Sequence, residues 1–161
     1  MHRHARRRLA LALFVAGLLP CGVAFAGGDV SVALTANRVT MSQGKEAYIP
    51  ADHARPGETI EYRATYTNAG THVAKDVEAT LPVPQGLEYL PNSAAPVRLL
   101  ASLDGESYAP VPLIRQVKTP SGKTEVREVP ASEYRSLRWS VGDLAPHASR
   151  EVKARMRVTP S

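Results

Sequence analysis

From residue 30 to residue 158, apolar and polar positions alternate with a period of two in one stretch after another. Val30, Val32 and Leu34 alternate with Ser31, Ala33 and Thr35; Ile60, Tyr62, Ala64 and Tyr66 alternate with Glu61, Arg63, Thr65 and Thr67. Val77, Ala79 and Leu81 do the same against Asp76, Glu78 and Thr80, and Leu137, Trp139 and Val141 against Arg138 and Ser140. The last run is the cleanest, with Val152, Ala154, Met156 and Val158 set against Glu151, Lys153, Arg155 and Arg157. Successive side chains of a strand point to opposite faces, so each run predicts a strand with one buried and one solvated face. No long window carries a helical period, and residues 131–137 leave room for a single helical turn.

The residues between these runs are turn formers with specific chemistry. Arg55-Pro56-Gly57-Glu58 predicts a type II turn, with proline where φ is near −65° and glycine where φ must be positive. Asp104-Gly105 predicts a tight two-residue hairpin between Leu99–Leu103 and Tyr108. Asn68-Ala69-Gly70 and Ser121-Gly122 also fit turns, Asn68 closing a strand end through its amide. Pro82 and Pro84 stop the strand at Leu81, because proline cannot donate to a ladder. Trp139, on an inward face, reads as a core plug. About seven or eight strands in one domain, residues 27–161, predict an all-β antiparallel β-sandwich of immunoglobulin-like type. A closed barrel is the alternative.

The first 26 residues break this pattern. Arg3, Arg6, Arg7 and Arg8 precede an apolar run from Leu9 to Leu19, which is long enough for the core of a signal peptide and short for a membrane span. Pro20 and Gly22 then interrupt any helix, and Ala24-Phe25-Ala26 supplies the small-x-small pattern of a cleavage site. The expectation is a signal peptide cut after Ala26, leaving Gly27 as the mature N-terminus and no stable membrane span. A lipoprotein reading would use Cys21, but Pro20 stands where cleavage would occur. Arg6-Arg7-Arg8 admits a twin-arginine route, although the strongly apolar core favours general secretion.

Charge changes meaning under this division. The whole chain has 161 residues, 20 basic and 15 acidic, for a net +5. Without the leader 16 basic residues face 15 acidic ones, a net +1, and Cys21, Phe14 and Phe25 are gone. A nearly neutral domain with no sustained basic patch excludes nucleic acid as the expected partner. It would enter an oxidising compartment without cysteine, relying on its core alone, which a domain of this size can do. The absence of an Asn-x-Ser/Thr sequon fits a bacterial exported protein, periplasmic or secreted to the cell surface.

Two stretches resemble a known family. The first runs through Pro56-Gly57-Glu58 and Tyr62, then Asn68-Ala69-Gly70, Asp76-Val77 and Leu81-Pro82-Val83-Pro84-Gln85-Gly86-Leu87. The second is Leu137-Arg138-Trp139-Ser140-Val141-Gly142-Asp143-Leu144-Ala145-Pro146, leading into the last alternating run. Together they resemble the conserved-repeat domain of bacterial surface and exported proteins catalogued as domain of unknown function eleven. The resemblance implies a sandwich and an exported location, and it transfers no catalytic residue. Three departures stand out: a single copy, His147 where glycine is usual, and a longer segment at residues 91–136.

Candidate chemistry is sparse. His53, His72 and His147 are widely spaced, no Gly-x-Ser-x-Gly elbow occurs, and no ligand spacing suits a metal. Asp104-Gly105-Glu106 lacks the oxygen ladder of a calcium loop. No catalytic, cofactor-binding or metal-binding residue is therefore expected. The row Lys153, Arg155 and Arg157, with Arg150 before it, is the candidate contact to an anionic surface. Its competing reading is a solvated face, interrupted by Glu151, whose charges discourage edge pairing. Partner-specific contacts would sit in residues 91–136, where Tyr89, Tyr108 and Tyr134 are the nearby aromatics. The functional expectation is a non-enzymatic structural or protein-interaction module of the cell envelope, partnered by another envelope protein. The alternative is a periplasmic chaperone or assembly factor that offers a sheet edge to a partner strand.

Overall fold

In the computed structural model residues 29–160 are described, so the expected signal peptide and the expected cleavage site at Ala24, Ala26 and Gly27 lie outside the described residues. The alternating runs become the long strands. These are β1 (Val30–Ser42), β3 (Thr59–Asn68), β4 (Ala74–Pro82), β10 (Ser136–Leu144) and β11 (Ser149–Val158). Shorter strands fill the gaps: β2 (Lys45–Pro50), β5 (Leu87–Tyr89), β6 (Leu100–Ser102), β7 (Ala109–Pro110), β8 (Ile114–Lys118) and β9 (Thr124–Glu128). The only helical element among the described residues is a 3₁₀ turn at Ala131–Glu133.

All strand pairs are antiparallel. One sheet has the order β2-β1-β3-β11-β5, a second β4-β10-β6-β7, and β8 pairs only with β9. Ala64, Tyr66, Val152, Ala154 and Met156 of the first sheet meet Ala79, Leu81, Ala101, Leu137 and Trp139 of the second in one buried cluster. These are inward positions of the alternation, and the two layers form the expected all-β sandwich. Trp139 is 1% exposed, and its indole N–H donates to the Pro96 carbonyl at 2.8 Å. The two sheets hold nine strands and the β8–β9 hairpin adds two. The additional strands are short, and β2, β7, β8 and β9 are largely exposed, so no buried face imposes an alternation on those four.

Gly57 has φ 87°, and the Glu58 N–H reaches the Arg55 carbonyl at 3.0 Å, in keeping with the type II turn. Asp104-Gly105 does not close a two-residue turn. Ala101 pairs with Ala109, so residues 103–108 separate β6 from β7. The Asp104 carboxylate organises this wider loop by accepting the N–H groups of Ser107 and Glu106, each at 2.8 Å. Those N–H groups, helped by the Ser102 hydroxyl, hold its pKa at about 2. A side chain has replaced the ladder as the hydrogen-bonding partner.

In β10 the register shifts between Ser140 and Gly142, with Gly142 at φ 77°. This bulge lets the strand continue past Val141 and bury Leu144. The β8–β9 hairpin is rooted where Val129 donates to Leu113 (2.8 Å) and Leu113 donates to the Tyr134 hydroxyl (3.0 Å). Leu113 and Val129 are buried, and Arg115 grips Glu133 with two bonds of 2.7 and 2.9 Å. Beyond that root the hairpin is exposed on both faces apart from Val117.

Candidate functional site

Lys153, Arg155 and Arg157 point to the outer face of the five-stranded sheet, as their phase against buried Val152, Ala154 and Met156 requires. None of the three is free. Arg155 places both guanidinium ends on Glu46 at 2.7 Å and its Nε on Glu61 at 3.0 Å. Arg157 binds Glu88, and the Lys153 ammonium lies 4.0 Å from Glu61. Arg63 adds bonds to Glu61 (2.8 Å) and Glu151 (3.2 Å). Arg63, Lys153, Arg155 and Arg157 thus stand against Glu46, Glu61, Glu88 and Glu151, and this part of the face is neutral. An anionic surface approaching it would compete with carboxylates already in place.

Glu61 lies on the polar side of its strand, yet it is only 1% exposed. The cover is β2. Pro50, Asn37, Glu61 and Arg155 share one cross-strand row, and Glu46 sits four residues further along β2. For Glu46 to reach Arg155, the β1–β2 hairpin has to curl over the outer face. A turn with positive φ at both Gln43 (52°) and Gly44 (75°) closes that hairpin. Tyr48 completes the cover: its hydroxyl donates to Glu46 at 2.8 Å and accepts from Arg155 at 3.1 Å. Arg63 stacks on the Tyr48 ring at 5.6 Å.

The electrostatics follow from these bonds. Hydrogen bonds from Arg155 and then Tyr48 pull Glu46 down to about 2. Burial pushes Glu61 upward, but the bonds from Arg155 and Arg63 outweigh it and leave the carboxyl below its usual range. Arg155 is raised in turn, chiefly by Glu46, while Tyr48 is raised by donating to that same carboxylate. Paired charges with their hydrogen bonds satisfied can be buried; a lone one could not. The arrangement clamps the hairpin onto the sheet.

At one end of the sandwich Asn68, 1% exposed, forms a second polar centre. Its amide N–H groups donate to the carbonyls of His72 (2.7 Å) and Leu144 (2.9 Å), and its Oδ1 accepts from Gly70 (3.0 Å). Its backbone carbonyl accepts from His147 and its N–H donates to Ala148. The residue therefore closes its own turn, as expected, and also joins the two sheets through Leu144. Gly70 is needed here because a Cβ would run into the Asp29 carboxylate.

His72 and His147 are gathered around Asn68 through their backbones, and their side chains are exposed, as is that of His53. Tyr89 and Tyr134 stack with centroids 6.1 Å apart and are buried, so both act in packing. Tyr108 donates to Ser136 at 2.9 Å and lies under Arg138 at 3.7 Å. Two shallow cavities accompany these features. One of about 420 Å³ is lined by Gly57, Glu88, Arg157 and Val158, and one of about 230 Å³ by Tyr89, Pro112, Val129 and Tyr134.

Sequence reasoning missed Glu61 as a buried group, and it missed Glu46 and Tyr48 altogether. The available signal was Gln43-Gly44, a pair suited to positive φ, followed by the strand-favouring Tyr48-Ile49. No family model, no curated protein and no solved structure matches this chain. No helix among the described residues is long and apolar enough to cross a membrane.

Proposed function

We propose that the chain is an exported, non-enzymatic module of the bacterial cell envelope, a single copy of the conserved-repeat sandwich it resembles. One observation carries the non-catalytic part: the buried polar side chains are engaged in holding the fold. Glu61 clamps a hairpin, Asn68 joins the sheets, Ser102 supports the Asp104 loop, and Ser136 receives the Tyr108 hydroxyl. Export rests on the cationic, apolar and small-x-small order of residues 1–26. The alternative of a strand-capturing chaperone is weakened by β4, the long outer strand of the second sheet. It carries Lys75, Asp76 and Glu78, and Asp76 departs from extended geometry at φ 49°.

The test is expression of the full chain in a Gram-negative host, followed by fractionation and intact-mass measurement. Protein in the periplasm or medium beginning at Gly27 is the expected result. Cytoplasmic protein that retains residues 1–26 would overturn the export reading.

A further inference from the structure

We propose that β9 pairs with β9 of a second copy of this chain, so that the protruding hairpin forms a two-fold symmetric dimer. The hairpin's own hydrogen bonds show which groups are free. Thr119 donates to Lys123 and Val129 donates to Leu113, so the bonded residues at its two ends are Lys123 and Val129. With the register Lys118↔Thr124 to Ile114↔Glu128, bonding alternates, and Glu125 and Arg127 are turned toward β8. The N–H and C=O groups of Thr124, Val126 and Glu128 consequently face the open edge. β9 is exposed along its whole length, and only β8 pairs with it.

About Val126 this edge is self-complementary in charge, with acidic Glu125 on one side and basic Arg127 on the other. An antiparallel pairing centred on Val126 sets Glu125 opposite the partner's Arg127 and Arg127 opposite the partner's Glu125. Val126 meets the partner's Val126, and Thr124 meets the partner's Glu128. This register brings together residues that both face outward, so about six backbone hydrogen bonds can form. On one face Val126, 63% exposed, and its diagonal neighbour Ile114, 66% exposed, would continue into their counterparts as an apolar row. On the other face, the hairpin sets Arg115 directly opposite Arg127, a like-charge pair. Arg115 is held by Glu133, whereas Arg127 has only Glu125 of its own strand at 3.0 Å. The partner's Glu125 would supply Arg127 with a cross-strand carboxylate.

The edge of β8 offers no such match, because pairing centred on Gln116 sets Arg115 against the partner's Val117. A β9–β9 contact is isologous and closes at two copies. The pairing is short, so the dimer should appear as a concentration-dependent equilibrium.

Sedimentation equilibrium of the intact protein up to about 1 mM tests this. The expected result is a monomer–dimer equilibrium. Glu125→Arg and Arg127→Glu each turn two attractive pairs into repulsive ones and should weaken self-association about tenfold or more. Mixing these two variants should restore a dimer, and the double variant Glu125→Arg/Arg127→Glu should dimerise like the parent. Unchanged Trp139 fluorescence would confirm that the exposed substitutions leave the fold intact. A parent that stays monomeric throughout, single variants that associate like the parent, or growth beyond two copies would each overturn the proposal.

Discussion

Replacing Asn68 with alanine removes three side-chain hydrogen bonds from a residue that is 1% exposed. The Leu144 carbonyl and the Gly70 N–H are left buried without these partners, while the His72 carbonyl lies near solvent. An orphaned buried polar group costs about 1–3 kcal/mol, so two of them predict a loss of about 3 kcal/mol. In a domain whose total stability is of the order of 5–15 kcal/mol, that is a large fraction. Guanidinium titration monitored by Trp139, the only tryptophan, measures it directly. A loss below about 1 kcal/mol would refute the role given to the amide.

Asn68→Asp sharpens the test at nearly constant shape. It keeps an acceptor for Gly70 but turns an oxygen toward two carbonyl oxygens, and only a protonated carboxyl can donate to one of them. The folded state therefore raises the pKa of the introduced carboxyl above its unfolded value near 3.9. A raised pKa contributes stability that is present below the unfolded value and lost as pH rises through the folded one. Asn68→Asp should be as unstable as the alanine variant at about pH 7 and should recover toward about pH 4. A deficit that is flat across that range would contradict the geometry.

Trp139→Ala should cost on the order of 3–5 kcal/mol by calorimetry or denaturation, as expected for a large core deletion. Arg155→Met should destabilise by about 2 kcal/mol, because buried Glu61 loses a partner, and should raise hydrogen exchange across Lys45–Pro50. Carbon-detected NMR should find Glu46 titrating at about 2, returning toward 4.5 in Arg155→Met. Its low folded pKa means that its stabilising contribution is present above about pH 4.5 and lost as the pH falls toward 2. Protection of β2 from exchange should fade over that same interval.

The five alternating runs were legible because one-sided burial enforces a period of two, and a single slip would turn every side chain to the wrong face. Trp139 and Asn68 were legible for a related reason: an inward-phase tryptophan and an Asn-x-Gly strand end each have few structural uses. The short strands β2, β7, β8 and β9 were not, since exposed segments carry no burial constraint. Asp104-Gly105 misled for a local reason, because the aspartate could bind the backbone of a wider loop as well as occupy a tight turn.

By itself, then, the sequence determined an all-β sandwich, the phase of its long strands, and the contrast between a cationic, apolar first 26 residues and a nearly neutral remainder. The tertiary structure decided which charges are spent. Glu46 and Arg155 are 109 residues apart, and only the curl of one hairpin over the sheet brings them together and buries Glu61. The same holds for the basic row, whose partners lie on three other strands. Periodicity reports which face a side chain takes. What covers that face depends on contacts between distant segments, which only the fold creates.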